Sequence, residues 1–328
     1  MTMNRRRAST LLAAATLIGP VAAVRAQGAA YPNKPIRWIV PYPAGGGSDF
    51  LARTISQQLS TLVAQPVLID NKPGGNTAIA ASEVARAAPD GYTVMSADNG
   101  TMVFNTALYS KLSYNPEKDL APVSLMGMFP MILVAGPSSN AKDAKDFIAL
   151  AKAKPGAISY GSAGAGSPHH LAMELLKVSA GVHMVHIPYR GAAPALQDLA
   201  GGQIAVMMVD LAAGAGFIKS GKIRAPAVAN PTRLPQLPDV PTFAELGFRN
   251  VEAAAQVGLV APANTPADVI NTLQREVAAA INTPAVRQRL VDFGVEPVGS
   301  TPQQYADLIK REVVRWHQLI REQKISLD

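Results

Sequence analysis

The chain has 328 residues, 48% of them hydrophobic and 16% charged, with a formal net charge of +7 and no cysteine. That composition can bury sizeable cores and excludes a disordered chain, and the length suits two domains. The missing cysteines exclude disulfides, thiol catalysis and cysteine-held metals, and no internal apolar run approaches the ~20 residues of a membrane span.

Arg5, Arg6 and Arg7 precede an apolar run from Leu11 to Val24 and a small-residue cleavage pattern at Val24-Arg25-Ala26. This order predicts a secretory signal peptide over residues 1–26, with Ala30 as an alternative end, and the consecutive arginines admit Sec or twin-arginine export. Cleavage removes four arginines and no acid, so the net charge falls from +7 to +3. So mild and dispersed a charge gives no reason to invoke nucleic acid. The mature protein is therefore expected to be exported.

After an extended lead-in at Tyr31-Pro-Asn-Lys-Pro, Trp38 to Val40 reads as a buried strand, broken by Pro41-Tyr-Pro-Ala-Gly-Gly-Gly-Ser-Asp49. Apolar residues return at helical spacing from Leu51 to Leu59. A glycine loop opening a helix presents unpaired backbone N–H groups and the positive end of a dipole, which favour an anion. Tyr42, Ala44, Gly45, Gly46, Ser48 and Asp49 are therefore candidate ligand contacts. A strand at 65–70, a turn at Asn71–Thr77, a helix at 78–87 and a strand at 93–96 continue the rhythm of a parallel sheet with crossovers. Ala97–Thr101 reads as a polar loop at a strand's carboxyl end, where α/β sheets gather ligands, and adds Asn99 and Thr101. Asn99-Gly-Thr101 also matches a glycosylation sequon, which carries little weight behind a bacterial-looking signal.

Val123 to Val134 is a long apolar extended stretch, the first crossing between two lobes. A helix at 144–153 and a strand at 157–160 lead to a second small-residue loop, Tyr160-Gly-Ser-Ala-Gly-Ala-Gly-Ser-Pro-His-His170, and a helix at 171–178. This repeats the first anion-friendly design and nominates Ser162, Ala163, Gly166, Ser167 and His169. Next come a strand at 183–187, a helix at 193–199, and a strand at 204–209 that carries Asp210 at its carboxyl end. Ile218–Gly221 reads as a helix end and Thr242-Phe-Ala-Glu245 as a capping box starting a short helix. Ala253 to Val260 is the return crossing. Three helices follow, opened by Thr265-Pro266, Thr283-Pro284 and the capping box Thr301-Pro-Gln-Gln304. The division expected is a discontinuous first lobe, 27–125 with 255–328, and a second lobe, 126–254.

Enzyme chemistries find little support. Gly-x-Ser-x-Gly is absent, and although Ser167, His169, His170 and Asp210 suggest a triad, the serines are explained as helix caps. Gly216-Phe-Ile-Lys-Ser-Gly221-Lys222 imitates a phosphate loop but has Ile223 in place of the hydroxyl residue and no strand before it. His169 stands where a dinucleotide fingerprint needs its third glycine. No His-Glu-x-x-His occurs, and His183 and His186, three apart on a strand, face opposite ways. No metal or other cofactor is expected.

Read together, Tyr31-Pro-x-Lys-Pro-Ile-Arg37, Pro41–Asp49, Asn71-Lys-Pro-Gly-Gly75, Pro89-Asp-Gly-Tyr92, Tyr160–Leu171, Pro188-Tyr-Arg-Gly191 and Leu237-Pro-Asp-Val-Pro-Thr-Phe243 resemble the periplasmic substrate receptors of tripartite tricarboxylate transporters, the Bug receptors. The resemblance covers nearly the whole mature chain. It implies an α/β fold of the two-lobed, type II periplasmic-binding-protein class, with two mostly parallel sheets, flanking helices and a ligand cleft between the lobes. It also implies that the loop at 42–49 grips a carboxylate, that the loop at 162–170 holds the other end, and that Tyr189 and Asp210 lie near the pocket. The sequence departs from the family pattern at Gly74-Gly75-Asn76-Thr77 and at Ala255-Gln256-Val257, which stand in place of Gly-Ala-Gly-Gly and of a segment with tryptophan. The expected function is capture of a dicarboxylate, tricarboxylate, amino acid or aromatic acid without covalent change, and delivery to membrane transporter subunits by a monomer that meets them transiently. The alternatives are an exported hydrolase using Ser167 or Ser48 and a receptor that signals through a membrane kinase.

Overall fold

The computed structural model describes residues 31–328, which form one compact unit. The signal-peptide reading of residues 1–26 lies outside the described residues. The strands are β1 (Ile36–Val40), β2 (Val67–Asn71), β3 (Thr93–Ala97), β4 (Leu120–Ala135), β5 (Ser159–Ser162), β6 (Val185–Pro188), β7 (Val206–Asp210), β8 (Arg224–Val228), β9 (Ala254–Pro262) and β10 (Glu296–Pro297). Between them run α1 (Gly47–Val63), α2 (Ala78–Ala85), α3 (Asn105–Leu108), α4 (Pro116–Asp119), α5 (Ala144–Ala153), α6 (Pro168–Ala180), α7 (Ala192–Ala200), α8 (Leu211–Lys219), α9 (Ala267–Asn282), α10 (Pro284–Asp292) and α11 (Pro302–Glu322).

The architecture is α/β, with sheets more mixed than the expected mostly parallel pair. The outer ladders are parallel: β2 and β3 flank β1, while β6 and β7 flank β5. The ladders made by β4 and β9 are antiparallel, because the chain crosses and then returns. Over Leu120–Pro130 the long β4 pairs with β9, with β10 on its other edge at Gly127 and Met128; from Met131 onward its neighbours become β7 and β8. Pro130 occupies the change-over, where its missing N–H disrupts neither ladder.

Alternate residues of one strand feed opposite faces. Trp38 packs under α1 and α9 with Leu51, Ile55 and Leu273, whereas Ile39 joins the core on the other face with Met95, Phe104 and Trp316. In α1 the buried Leu51, Ile55 and Leu59 recur at the spacing of one helical face. The last helix starts on a complete capping box, with Thr301 Oγ1 accepting from Gln304 N and Gln304 Oε1 accepting from Thr301 N.

Two expectations need correction, and the short elements α4, β8 and β10 were missed. Asp98 Oδ1 accepts from the Thr101 N–H at 3.0 Å, so the segment expected to be a polar loop instead winds into the π-helical stretch Gly100–Phe104 and α3. At Thr242 the predicted box closes in both directions, but residues 243–247 make only turns before Gly247 at φ +91°. The strands β8 and β10 have little pattern of their own: β8 contains Pro226, and β10 is two residues long.

Gly258 on β9 is a tight packing point. A Cβ there would stand 2.2 Å from the Tyr305 ring, whose hydroxyl donates to the Ala97 carbonyl at 3.2 Å. Gly258→Ala should therefore cost about 1–3 kcal/mol by overpacking, read as a lower urea midpoint with an unchanged slope.

Candidate functional site

The first glycine loop connects β1 to α1. Gly46 is the N-cap of α1 with no side-chain cap, and Ala44, Gly45 and Gly46 are exposed. Beneath them the loop is tied down by Asp49, which is 3% exposed. Its carboxylate accepts from Gly45 N at 2.9 Å, Arg53 Nε at 2.9 Å and Asn71 Nδ2 at 2.9 Å. Burial raises the Asp49 pKa, but the bonds from Arg53, Gly45 and Asn71 outweigh it and hold the carboxyl below its usual range. Asp49 thus shapes the loop and leaves the backbone before α1 exposed. Ser48 is half-buried at the second helical position.

Tyr42 turns inward, its hydroxyl 2.5 Å from Asp98 Oδ2. Burial, then the charge of Asp98, pushes the Tyr42 pKa well up, so it stays a donor. Asp98 also takes the Thr101 hydroxyl at 3.1 Å, and that hydroxyl lies 2.9 Å from Thr77 Oγ1. Thr101 is fully buried, so it braces the site from behind. Asn99 is 2% exposed and accepts through Oδ1 from the Gln256 N–H of β9 at 2.6 Å.

The second loop joins β5 to α6. Ser167 caps α6, accepting from His170 N at 3.3 Å and donating to the Gly164 carbonyl at 2.7 Å. Its hydroxyl is committed to the loop, in keeping with the cap reading. Ser162 is fully buried, 2.7 Å from His186 Nε2 and also bonded to Gly164. Ala163 is half-buried. Gly166, at φ +75°, donates to His170 Nδ1 at 3.1 Å, and a Cβ there would meet Leu327, Leu108 and Asn76 within 2.9 Å. The loop is therefore packed directly against segments attached to the other half of the sheet.

His169 and Asp210 come together, as neither position alone revealed. His169 Nε2 lies 3.0 Å from Asp210 Oδ2, while Asp210 Oδ1 caps α8 through Ala213 N at 2.9 Å. Burial raises the Asp210 pKa, but its bond and attraction to His169 and the Ala213 N–H lower it further, and the carboxyl lies below its usual range. Tyr189 directs its hydroxyl to Asp198 at 2.8 Å, and burial followed by that bond raises its pKa to about 12.

Behind the second loop lies a polar cluster that sequence reasoning missed. His170 and His186 stack at 3.9 Å, Tyr160 bonds Glu174, and Lys177 reaches Glu174 at 2.6 Å. The helical spacing of His170, Glu174 and Lys177 was legible, but their meeting with β5 and β6 needed the sheet order. Among the described residues no group of three or more His, Asp or Glu is placed to hold a metal ion. The segment resembling a phosphate loop is the end of α8, with Gly221 at φ +70° just past it.

The model for the tripartite tricarboxylate transporter family receptor matches residues 51–325. A structure of a periplasmic transporter is 41% identical with a TM-score of 0.84, covering 91% of this chain and 100% of its own. Rpa4515 of R. palustris, solved with adipate, is 34% identical with a TM-score of 0.84 and coverages of 89% and 97%. MatC from Rhodopseudomonas palustris, with bound malate, is 33% identical with a TM-score of 0.81 and coverages of 88% and 100%.

The stacked histidines make stability depend on pH. Burial, then Lys177, lowers the His170 pKa to about 4, and burial, then His170, lowers that of His186 to about 3. Both rings are neutral in the fold, so below about pH 6.5 the unfolded chain binds protons first and stability falls until the folded rings also titrate. The loss should be of order 3 kcal/mol for His170 alone. Melting temperatures should drop between about pH 6 and about pH 4, and His170→Gln should flatten that drop.

Proposed function

The chain belongs to the tripartite tricarboxylate transporter receptor family, and from that premise we propose that it is an exported periplasmic receptor that holds a small carboxylate between two lobes and hands it to membrane transporter subunits. The observation that carries this is the start of α1: an uncapped helix N-terminus behind exposed glycines, with Asp49 turned inward to hold the loop. Such a terminus supplies converging N–H donors to an anion without a cationic side chain. The adipate and malate held by the two Rhodopseudomonas proteins support the same ligand class.

Within the described residues the lobes are 31–125 with 255–328, and 126–254. The change of strand partners at Pro130 and Ala254 supports this division. The ligand is gripped by the backbone at 44–48 from one side and by the second loop, with His169 and Asp210, from the other. Tyr42, Asp49, Thr101 and Ser162 hold the two loops in shape, Asn99 faces the ligand, and Tyr189 lies at the rim. The receptor acts as a monomer, needs no cofactor and leaves the ligand chemically unchanged. The Ser167 hydroxyl, engaged with Gly164 and His170, supports binding over hydrolysis.

Titration calorimetry against dicarboxylates, tricarboxylates, amino acids and aromatic acids should find at least one anion with submillimolar affinity, and failure of them all would sink the reading. Gly46 has φ −83°, and a Cβ there would approach nothing closer than the Pro43 carbonyl at 3.7 Å. Gly46→Leu should therefore leave the melting temperature within about 2 °C of wild type while weakening the ligand at least about tenfold, roughly one charge-assisted hydrogen bond.

A further inference from the structure

Among the described residues, three buried side-chain atoms lack a hydrogen-bond partner: Thr54 Oγ1, Asn99 Nδ2 and His169 Nδ1. Thr54 sits inside α1, where a small rotation brings a threonine hydroxyl onto the carbonyl of the preceding turn. The other two have no such local remedy. Asn99 spends Oδ1 on the Gln256 N–H, and flipping the amide would set donor against donor, so Nδ2 is the end left over. His169 meets the Asp210 carboxylate through Nε2, which fixes a proton on that nitrogen and leaves Nδ1 bare. Buried polar atoms are nearly always paired, so two orphans among the candidate site residues mark groups that a ligand completes.

Their anchors are neighbours along β4. Gln256, which pins Asn99, pairs with Met128; Asp210, which pins His169, pairs with Met131. They pair with β4 from opposite edges, so three residues along the strand and two strand spacings across separate the anchors by about 14 Å, and one small molecule that reaches both orphans needs a polar group at each end. Asn99 Nδ2 only donates and suits a carboxylate. His169 Nδ1 accepts while the ring is neutral and donates when both nitrogens carry protons. Around α6, β7 contributes Asp210, β5 contributes Tyr160, and β6 contributes His186. On α6 itself, His170, Glu174 and Lys177 face Tyr160 and His186, while β9 has no titratable side chain. The Asp210 carboxylate is thus the charged group bonded to His169.

We propose that a short dicarboxylate places one carboxylate on Asn99 Nδ2 and the other on His169 Nδ1, and that the second contact draws a proton from solvent onto Nδ1. The bound state is a chain of Asp210 carboxylate, His169 imidazolium and ligand carboxylate, with Nε2–H retained and no other bond changed. This rests on the carboxylate-receptor reading and adds to it which residues read each end and that binding is coupled to proton uptake.

The test is titration calorimetry of the full chain with adipate and with hexanoate, its single-ended counterpart of equal length. It is run in two buffers of different ionisation heat, at steps from about pH 6 to about pH 9 to bracket imidazole titration. Adipate should take up protons, approaching one per ligand toward the alkaline end, and hexanoate none. His169→Gln, with His169→Asn as a second variant, should abolish the uptake and weaken adipate about 10- to 100-fold while leaving hexanoate within about threefold. Proton-neutral binding of adipate across the range, or uptake that persists in both variants, would overturn the proposal. Should neither ligand bind the wild type while another carboxylate does, the dicarboxylate assignment falls and the receptor reading stands; should no carboxylate bind, both fall.

Discussion

β4 and β9 lie antiparallel from Leu120 opposite Pro262 to Pro130 opposite Ala254, and every functional element takes its place from that pair. Through β9 the pair reaches β3, and so the loop carrying Asp98 and Asn99; through the far half of β4 it reaches β7 and Asp210. The two glycine loops never touch the crossing strands by sequence, yet each stands at the carboxyl end of a strand linked to them. A βα unit on either side could not build this site alone, because neither holds the residues that complete the other.

Polar groups are then sorted by depth. The exposed layer is backbone and glycine, able to meet a ligand closely. The layer beneath is a set of short, saturated side-chain bonds: Asp49 with Gly45 and Asn71, Asp98 with Tyr42 and Thr101, Ser162 with His186. Asp49 is paired with Arg53 and Glu174 with Lys177, while Asp210 is held by hydrogen bonds to His169 and the Ala213 N–H. Preorganised loops of this kind lose little freedom when a ligand arrives, which favours affinity without a large contact area.

Much of this was legible in the sequence because the signals were local. The glycine loops, Thr301 with Gln304 and the helix over 144–153 announce themselves through caps and spacing, and each element forms there. The sequence was silent where the deciding contact is distant. Asp49 reads as a ligand residue until Asn71, on the next strand, is seen to claim it. His169 and Asp210 are 41 positions apart and meet only because β5 and β7 are neighbours. The π-helical turn after β3 was hidden because Asp98, a single side chain, converts an apparent loop into a helix start.

Gly166 adds a mechanical asymmetry. Its loop presses on Leu108, Asn76 and Leu327 through space too small for one methyl group, so drawing the two halves of the sheet apart must first wet two leucines. Such a contact acts as a weak catch, independent of any solute. Any parting of the two halves would therefore start uphill, by the free energy of exposing that apolar surface.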